Sequence, residues 1–441
     1  MLMAEYFSLA QHLQRAAGEY PALPALLNAG KTWSFKAWLA ESHTLSEQIE
    51  YSPLPLIKAD DSLHLARHAY ACSLKNRPFW PFAPRTNSCI SHRNASPDLN
   101  QQSKYFPDAT SMPPDVALII STSGSAGRSR AVLLGDAQLD SAAAASNQCL
   151  PLGPGDLWLN CLPLYHIGGQ AILWRCARAM AGVLLHQGFN VEAVANDLRQ
   201  YPVTHISLVP AMLAQLIERQ IKAPSGLCVT LIGGAALSRP LYDKAINLGW
   251  PLYPSYGMSE TSAQLATFKP GDGVWHEGLV GRPMPNHEIR INPDGRIAVR
   301  GPQVMLGYLQ GGGVDYAGWL TTDDLGSLDS NACLTVTGRA DDMLISGGRN
   351  VHPLEVESCL AACPGVSDVA VTGLPDPIWG DLIVALIVGT TGQSALLAHA
   401  RQHLPTAALP RKFVFLESLP RNAAGKLDRI VLRHLASGSA A

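Results

Sequence analysis

The chain of 441 residues has no uninterrupted apolar run of about 18 residues, the length a helix needs to cross a bilayer, so no membrane-spanning helix is expected. It has no excess of charge of either sign: 33 Lys and Arg face 35 Asp and Glu, a formal net charge of −2, and no long basic run disturbs the balance. That excludes a general attraction to nucleic acid or to an anionic membrane. The N-terminal stretch lacks an apolar segment of signal-peptide type and carries acids early, so a secretory leader is not expected. The nine cysteines contain no Cys-x-x-Cys pair, and Cys359 and Cys363, four apart, have no histidines at zinc spacing. They read as reduced, mostly buried thiols of a cytoplasmic protein. Internal repeats and low-complexity tracts are absent too.

What is present is a globular composition, 47% hydrophobic and 15% charged, in a chain long enough for two or three packed units. Residues 1–110 are weakly patterned: helical periodicity over 7–16 and 35–49, an aromatic and proline-rich stretch over 77–84, and a polar, loop-like run over 87–105. Beyond them the pattern clears. Apolar runs at 116–120, 157–162, 205–209 and 228–232 suit buried strands, and helical segments at 136–145 and 211–219 lie between them, which argues for a mostly parallel α/β sheet. From Glu288 short alternating strands with Gly and Asp turns indicate a small β-rich section. After Gly338 the order helix, strand, strand, helix, strand (353–361, 366–371, 382–388, 394–402, 412–416) has the size of a separate α+β domain.

Six segments carry chemistry. Ser121-Thr-Ser-Gly-Ser-Ala-Gly-Arg-Ser-Arg130 follows a strand and offers glycines, hydroxyls and basic side chains to a phosphate chain, without the Gly-Lys-Ser/Thr ending of a Walker A loop. Leu162-Pro-Leu-Tyr-His-Ile-Gly-Gly169 sets a histidine beside an aromatic residue, and Ser255-Tyr-Gly-Met-Ser-Glu-Thr261 sets an acid and hydroxyls on a turn. Gly318-Trp-Leu-Thr-Thr-Asp-Asp-Leu-Gly326 holds a carboxylate suited to paired hydroxyls, and Gly338-Arg-Ala-Asp-Asp-Met-Leu-Ile-Ser-Gly-Gly348 joins the larger pieces. Pro420-Arg-Asn-Ala-Ala-Gly-Lys-Leu-Asp-Arg429 places a single lysine on a glycine-containing loop.

In kind, order and spacing these segments resemble the adenylate-forming superfamily of acyl-CoA synthetases, adenylation domains and luciferases, over residues from about 115 to about 430. The resemblance implies a large N-terminal domain (1–338) of α/β subdomains, a hinge (339–342) at Asp341 and a small mobile α+β domain (343–441). It implies ATP, Mg²⁺ and coenzyme A, and an acid–thiol ligase reaction through an acyl-adenylate. Thr122, Ser123, Gly124, Ser125 and Gly127 would hold the outer phosphates, with Ser125 counted beside Lys426 and His166 in catalysis. Gly233, Gly234 and Ala235 would pack on adenine, Tyr256 would stack on the base, Gly257 would belong to the ATP site, and Ser259 would lie near the α-phosphate. Glu260 would bind the metal, Asp324 the ribose and Arg339 the ribose and phosphate region. Lys426 would bridge the acid and the α-phosphate, where two anions meet and charge builds on phosphorus. His166 would adjoin the carboxylate and gate the thiol, Tyr165 would pack, and Gly347 and Gly348 would line the pantetheine channel.

Several positions depart from the family pattern: Ala126, Ser129, Arg130 and Ala131 in the first loop, and Asp323, which sets a second carboxylate beside Asp324. Arg130 keeps the charge of the usual lysine in a planar fork. Within the superfamily, residues 162–175, 205–210 and 231–236 look most like the o-succinylbenzoate–CoA ligases of menaquinone synthesis, although Gly168 stands where those commonly have Ser. A keto-diacid needs a cation or donor for its second carboxylate, and Arg175 and His205 are the candidates. The alternatives are another aryl- or acyl-CoA ligase, a stand-alone adenylation enzyme loading a separate carrier protein, and a degenerate, non-catalytic homologue. Partners are expected to be the acid, ATP and CoA, with no nucleic acid and no membrane; a homo-oligomer is compatible with this reading.

Overall fold

A computed structural model describes residues 6–49, 56–58, 61–82, 113–122, 130–422 and 425–438. Its centre is a 13-stranded sheet. Strands Leu252–Met258, Val229–Ile232, His205–Leu208, Leu157–Asn160, Gly182–Leu185 and Pro24–Asn28 lie side by side and parallel. Most of these are short, fully buried apolar runs, as expected for strands covered on both faces. Helices Ile167–Ala179 and Asp136–Cys149 cover one face, and Val191–Gln200 and Pro210–Glu218 belong to the apolar cluster on the other. The β-rich section after Glu288 is continuous with this sheet: Leu279–Pro283, Leu334–Arg339, Leu320–Leu328, Arg296–Arg300 and Glu288–Ile291 extend it through antiparallel pairs.

The apolar run at 116–120 does form a strand, Val116–Thr122, but outside the parallel sheet. It pairs antiparallel with Arg130–Gly135, and Gly307–Tyr308 completes a separate three-stranded sheet. The reason is local: only seven residues of chain separate the two strands, which permits antiparallel pairing, whereas a parallel neighbour requires a long crossover. Helical periodicity near the N-terminus becomes helices Leu9–Glu19 and Phe35–Gln48, the first opened by a capping box in which Ser8 accepts from the Gln11 amide. The polar run at 87–105 lies outside the described residues.

After the hinge candidate, strands Leu344–Ser346, Arg349–Val351, Val366–Asp376, Gly380–Gly389 and Lys412–Phe415 make a five-stranded sheet. Helices Pro353–Ala361 and Gln393–His403 cover one face through Val356, Leu360, Leu396 and Ala400, and Arg429–Ser437 covers the other through Leu432 and Ala436. The buried clusters of the large sheet reach no further along the chain than Leu334, and those of the tail begin at Leu344. Among the described residues no helix is long and apolar enough to cross a membrane.

Candidate active site

Parallel strands leave their side-chain-rich loops at one edge, the usual place for a ligand in an α/β sheet. Here the loop after Leu157–Asn160 leads to His166, the one after Val229–Ile232 is Gly233-Gly234-Ala235, and Leu252–Met258 runs through Tyr256 into the turn Ser259–Thr261 that carries Glu260. Gly257 is required at its position: a Cβ there would stand 1.7 Å from the Ala263 carbonyl oxygen of the paired strand. Ser255 Oγ donates to the Ile232 carbonyl at 2.9 Å and ties the two loops together.

Asp324 is the centre of a polar lattice. The Tyr256 hydroxyl donates to its Oδ2 at 2.7 Å, and Arg339 Nη1 donates to its Oδ1 at 3.2 Å from the adjoining strand. Burial and the neighbouring Asp324 carboxylate push the Tyr256 hydroxyl well above the ordinary tyrosine range, so it remains a donor. Arg339 also forks onto Asp341, from Nε at 2.9 Å and Nη2 at 3.1 Å. Burial opposes its charge, but the hydrogen bonds to Asp341 and the field of Asp324 outweigh that and hold the guanidinium above its usual value. Asp341, chosen from the sequence as a pivot, is thus clasped to Arg339.

Asp323 lies beside this group, its side chain directed mainly to another cation. Successive residues of a strand point to opposite faces. Its Oδ1 accepts from Arg296 Nη1 at 2.6 Å, and its nearest approach to Arg339 is 3.9 Å. The extra carboxylate therefore comes with its own cation.

Glu260 is held by Tyr308, whose hydroxyl donates to Oε1 at 3.0 Å. Burial first, then Glu260, pushes the Tyr308 hydroxyl up to about 12, and the Arg130 guanidinium lies 5.1 Å from the Tyr308 ring. Neither Tyr308 nor its link to Arg130 was legible in the sequence, because Tyr308 stands in no recognisable segment and reaches Glu260 across 48 residues. Together with Gln310 and Thr321 these two side chains line a cavity of about 340 Å³. Thr122 Oγ1 donates to the Arg130 carbonyl at 3.2 Å. Ser123, Gly124, Ser125, Gly127, Ala126 and Ser129 lie outside the described residues.

Lys426 reaches this edge from the tail. Its loop is a turn in which the Gly425 amide donates to the Asn422 carbonyl at 2.8 Å and the Lys426 amide donates to Asn422 Oδ1 at 3.1 Å. Gly425 adopts φ +77°, and a Cβ there would meet Val209 Cγ2 at 2.8 Å, so the loop docks directly on the large sheet. A Cβ on Gly234 would stand 3.5 Å from Lys426 Cε. The side chain keeps access to solvent, yet protein crowds it on several sides. That crowding lowers its ammonium pKa; Asp324 raises it, Arg339 lowers it further and Glu260 raises it. Gly347 and Gly348, with φ of +57° and +74°, form the exposed turn between Leu344–Ser346 and Arg349–Val351. In this arrangement the lysine, and not the glycine pair, faces the strand edge.

His166 caps helix Ile167–Ala179, and its ring lies 4.7 Å from that of Tyr165. Burial, and then the charge of Lys426, bring it down to about 4. It is a neutral imidazole at pH 7. Arg175 is buried within the same helix, 3% exposed, with its guanidinium 5.5 Å from the Trp158 ring; on the sheet Trp158 pairs in register with His205, and their rings are 5.0 Å apart. No carboxylate pairs with Arg175 among the described residues, and burial draws its guanidinium down to about 10. His205 donates or accepts at Nδ1 with Thr204 Oγ1 at 2.8 Å, while its buried Nε2 has no partner among the described residues. The Arg175, Trp158 and His205 group lies deeper than the strand edge, with Ser207 and Asn160 supplying polar atoms on the same sheet face.

Burial lowers the His205 pKa to about 4, below the unfolded value near 6.5. Between those values the unfolded chain binds the extra proton, so this histidine's contribution is full above about pH 6.5 and is lost as pH falls through about 4. The expected loss between pH 7 and pH 5 is about 2 kcal/mol. His205→Leu should flatten that acid-side slope in urea unfolding; an unchanged slope would mean the ring already protonates in the fold.

A model of AMP-binding enzymes matches residues 65–309, and a model of the AMP-binding enzyme C-terminal domain matches residues 355–426. The 2-succinylbenzoate–CoA ligase of Bacillus velezensis is 36% identical over 339 residues, 74% of this chain and 70% of its own length. That of Bacillus subtilis is 35% identical over 73% of this chain and 69% of its own length. Among solved structures, o-succinylbenzoate CoA synthetase from Bacillus subtilis with the acyl-adenylate OSB-AMP superposes with a TM-score of 0.81 at 28% identity, covering 96% of this chain and 97% of the other. The same synthetase with ATP and magnesium gives 0.80 at 29% identity, over 96% and 99%. ATP-bound MatB from Rhodopseudomonas palustris, 22% identical, shares the fold with a TM-score of 0.82 over 97% of this chain and 99% of its own.

Proposed function

Because the chain belongs to the AMP-binding enzyme family, we propose that it is an AMP-forming acid–CoA ligase whose acid is 2-succinylbenzoate. The carrying observation is Lys426, delivered by the tail to an edge that already holds Asp324, Tyr256, Arg339 and Glu260. In the first half-reaction an oxygen of the acid attacks the α-phosphorus of ATP and pyrophosphate leaves. Lys426 neutralises the two approaching anions and the charge that builds between them. Asp324 accepts from ribose hydroxyls while Tyr256 and Arg339 fix its orientation, and the Gly233-Gly234-Ala235 segment packs on the base. Glu260 fits a hard divalent cation: Tyr308 takes Oε1, and among the described residues Oε2 has no protein donor. Bound Mg²⁺ would supply charge neutralisation for the departing pyrophosphate. Thr122 and the loop that follows it would hold the outer phosphates.

In the second half-reaction the CoA sulfur attacks the acyl carbon and AMP leaves. His166, being neutral, borders the carboxylate without adding charge to the thiol's path. Rotation about residues 339–342 would release the Arg339–Asp341 clasp, withdraw Lys426 and bring Gly347 and Gly348 round to the channel. Arg175 and His205 would receive the second carboxylate. Arg175 stands nine residues along the helix from its His166 cap, about 13 Å of axial rise, and helical side chains lean back toward the N-terminus. On this reading the acid is an elongated diacid, with one carboxylate beside His166 and the other at Arg175 and His205.

An acid panel in ATP–pyrophosphate exchange tests this reading. Strong exchange with 2-succinylbenzoate, weak exchange with benzoate and AMP release stimulated by free CoA are expected. Preference for benzoate would identify a different aryl–CoA ligase. Stimulation by a holo-carrier protein alone would identify a loading enzyme, and no exchange with any acid would identify a non-catalytic homologue.

A further inference from the structure

The tail brings together three metal-ligating side chains that the chain order keeps apart. Cys359 lies on helix Pro353–Ala361, and His399 and His403 lie one turn apart on helix Gln393–His403. One ligand atom from each falls within 4.8 Å of the other two, the one such group of three among the described residues. We propose that Cys359, His399 and His403 form a site for a thiolate- and imidazole-seeking divalent ion of the zinc class.

The geometry favours this on three counts. First, i and i+4 positions share a helix face, so both imidazoles are presented to the neighbouring helix; their ring centroids are 4.5 Å apart. Second, each ring is already oriented through one nitrogen. His399 Nε2 lies 3.0 Å from the Cys359 carbonyl oxygen and His403 Nδ1 lies 2.9 Å from the His399 carbonyl oxygen. A nitrogen that donates to a carbonyl leaves the other with its lone pair, which is how metal-binding histidines are commonly held. Third, zinc bonds of about 2.0–2.3 Å place tetrahedral ligands roughly 3.5 Å apart, so side-chain adjustments on the order of 1 Å close the group. Three protein ligands leave a fourth position for water or for Glu355, one turn before Cys359.

The donor set separates this ion from magnesium, which seeks oxygen ligands. Its position separates it from the chemistry as well. Both helices cover the sheet face opposite helix Arg429–Ser437, the helix that follows Lys426. The ion would clamp the two outer helices to each other and stiffen the tail without touching the reactants.

Cobalt(II) is the probe, added to full-length protein carrying no histidine tag. Wild type should bind one equivalent with a thiolate-to-cobalt charge-transfer band, zinc should displace it, and excess Mg²⁺ should not. Cys359→Ser should lose the band and Cys228→Ser, at an exposed thiol elsewhere, should keep it. His403→Ala, at an exposed position, should weaken binding by about tenfold or more. Zinc should raise the melting temperature of wild type and not of Cys359→Ser. No band in wild type, a band surviving Cys359→Ser, or undiminished affinity in His403→Ala would each overturn the proposal.

Discussion

Lys426→Ala should lower acyl-adenylate formation by about 10²–10³-fold, read as ATP–pyrophosphate exchange, while CoA still converts a supplied acyl-adenylate at near the normal rate. The asymmetry follows from where charge develops. Adenylation brings a carboxylate onto a phosphate, and on the proposed mechanism Lys426, whose Cε lies beside Gly234, supplies the cation there. Thiolysis starts from a mixed anhydride in which that repulsion is already spent. Lys426→Arg should recover little, because a planar fork does not replace a compact ammonium in a loop docked as tightly as Gly425 on Val209. Equal loss of both half-reactions in a folded variant would show that the lysine acts in binding or folding and not in the first step.

Arg175→Met should cut kcat/KM for 2-succinylbenzoate by about 10²–10³-fold, since a desolvated charge pair broken on one side costs roughly 2–5 kcal/mol. The same variant should leave a monocarboxylic benzoate almost untouched and should melt at a higher temperature than wild type. The second expectation is the sharper one. A guanidinium 3% exposed and without a carboxylate partner among the described residues is a standing cost to the fold, and methionine fills the same stem volume without it. A variant less stable than wild type, with unchanged preference among acids, would assign Arg175 to packing against Trp158.

Much of the fold was legible in the residues, and so were the groups from which a site could be built. Short apolar runs separated by helical periodicity gave away the parallel strands, because burial on both faces leaves no room for polar alternation. The order of six loops identified the nucleotide chemistry, because each loop must present a particular small, acidic or cationic group to one part of the same ligand. The strand Val116–Thr122 was legible as a strand, yet its antiparallel pairing was not, since an apolar run does not say which neighbour it will take.

What the sequence by itself determined is the inventory: which groups are available to phosphate, ribose, metal and acid, and in what order the chain offers them. Only the tertiary structure decided how those groups are paired. Asp323 is neutralised by Arg296 from 27 residues away, Glu260 is braced by Tyr308 from 48, and Cys359 meets His399 from 40. The same packing left Arg175 without a carboxylate partner among the described residues and drew His166 down to a neutral ring. Charge state and partner depend on what lies within a few ångströms and on how much water is excluded, and the linear chain specifies neither until it is packed.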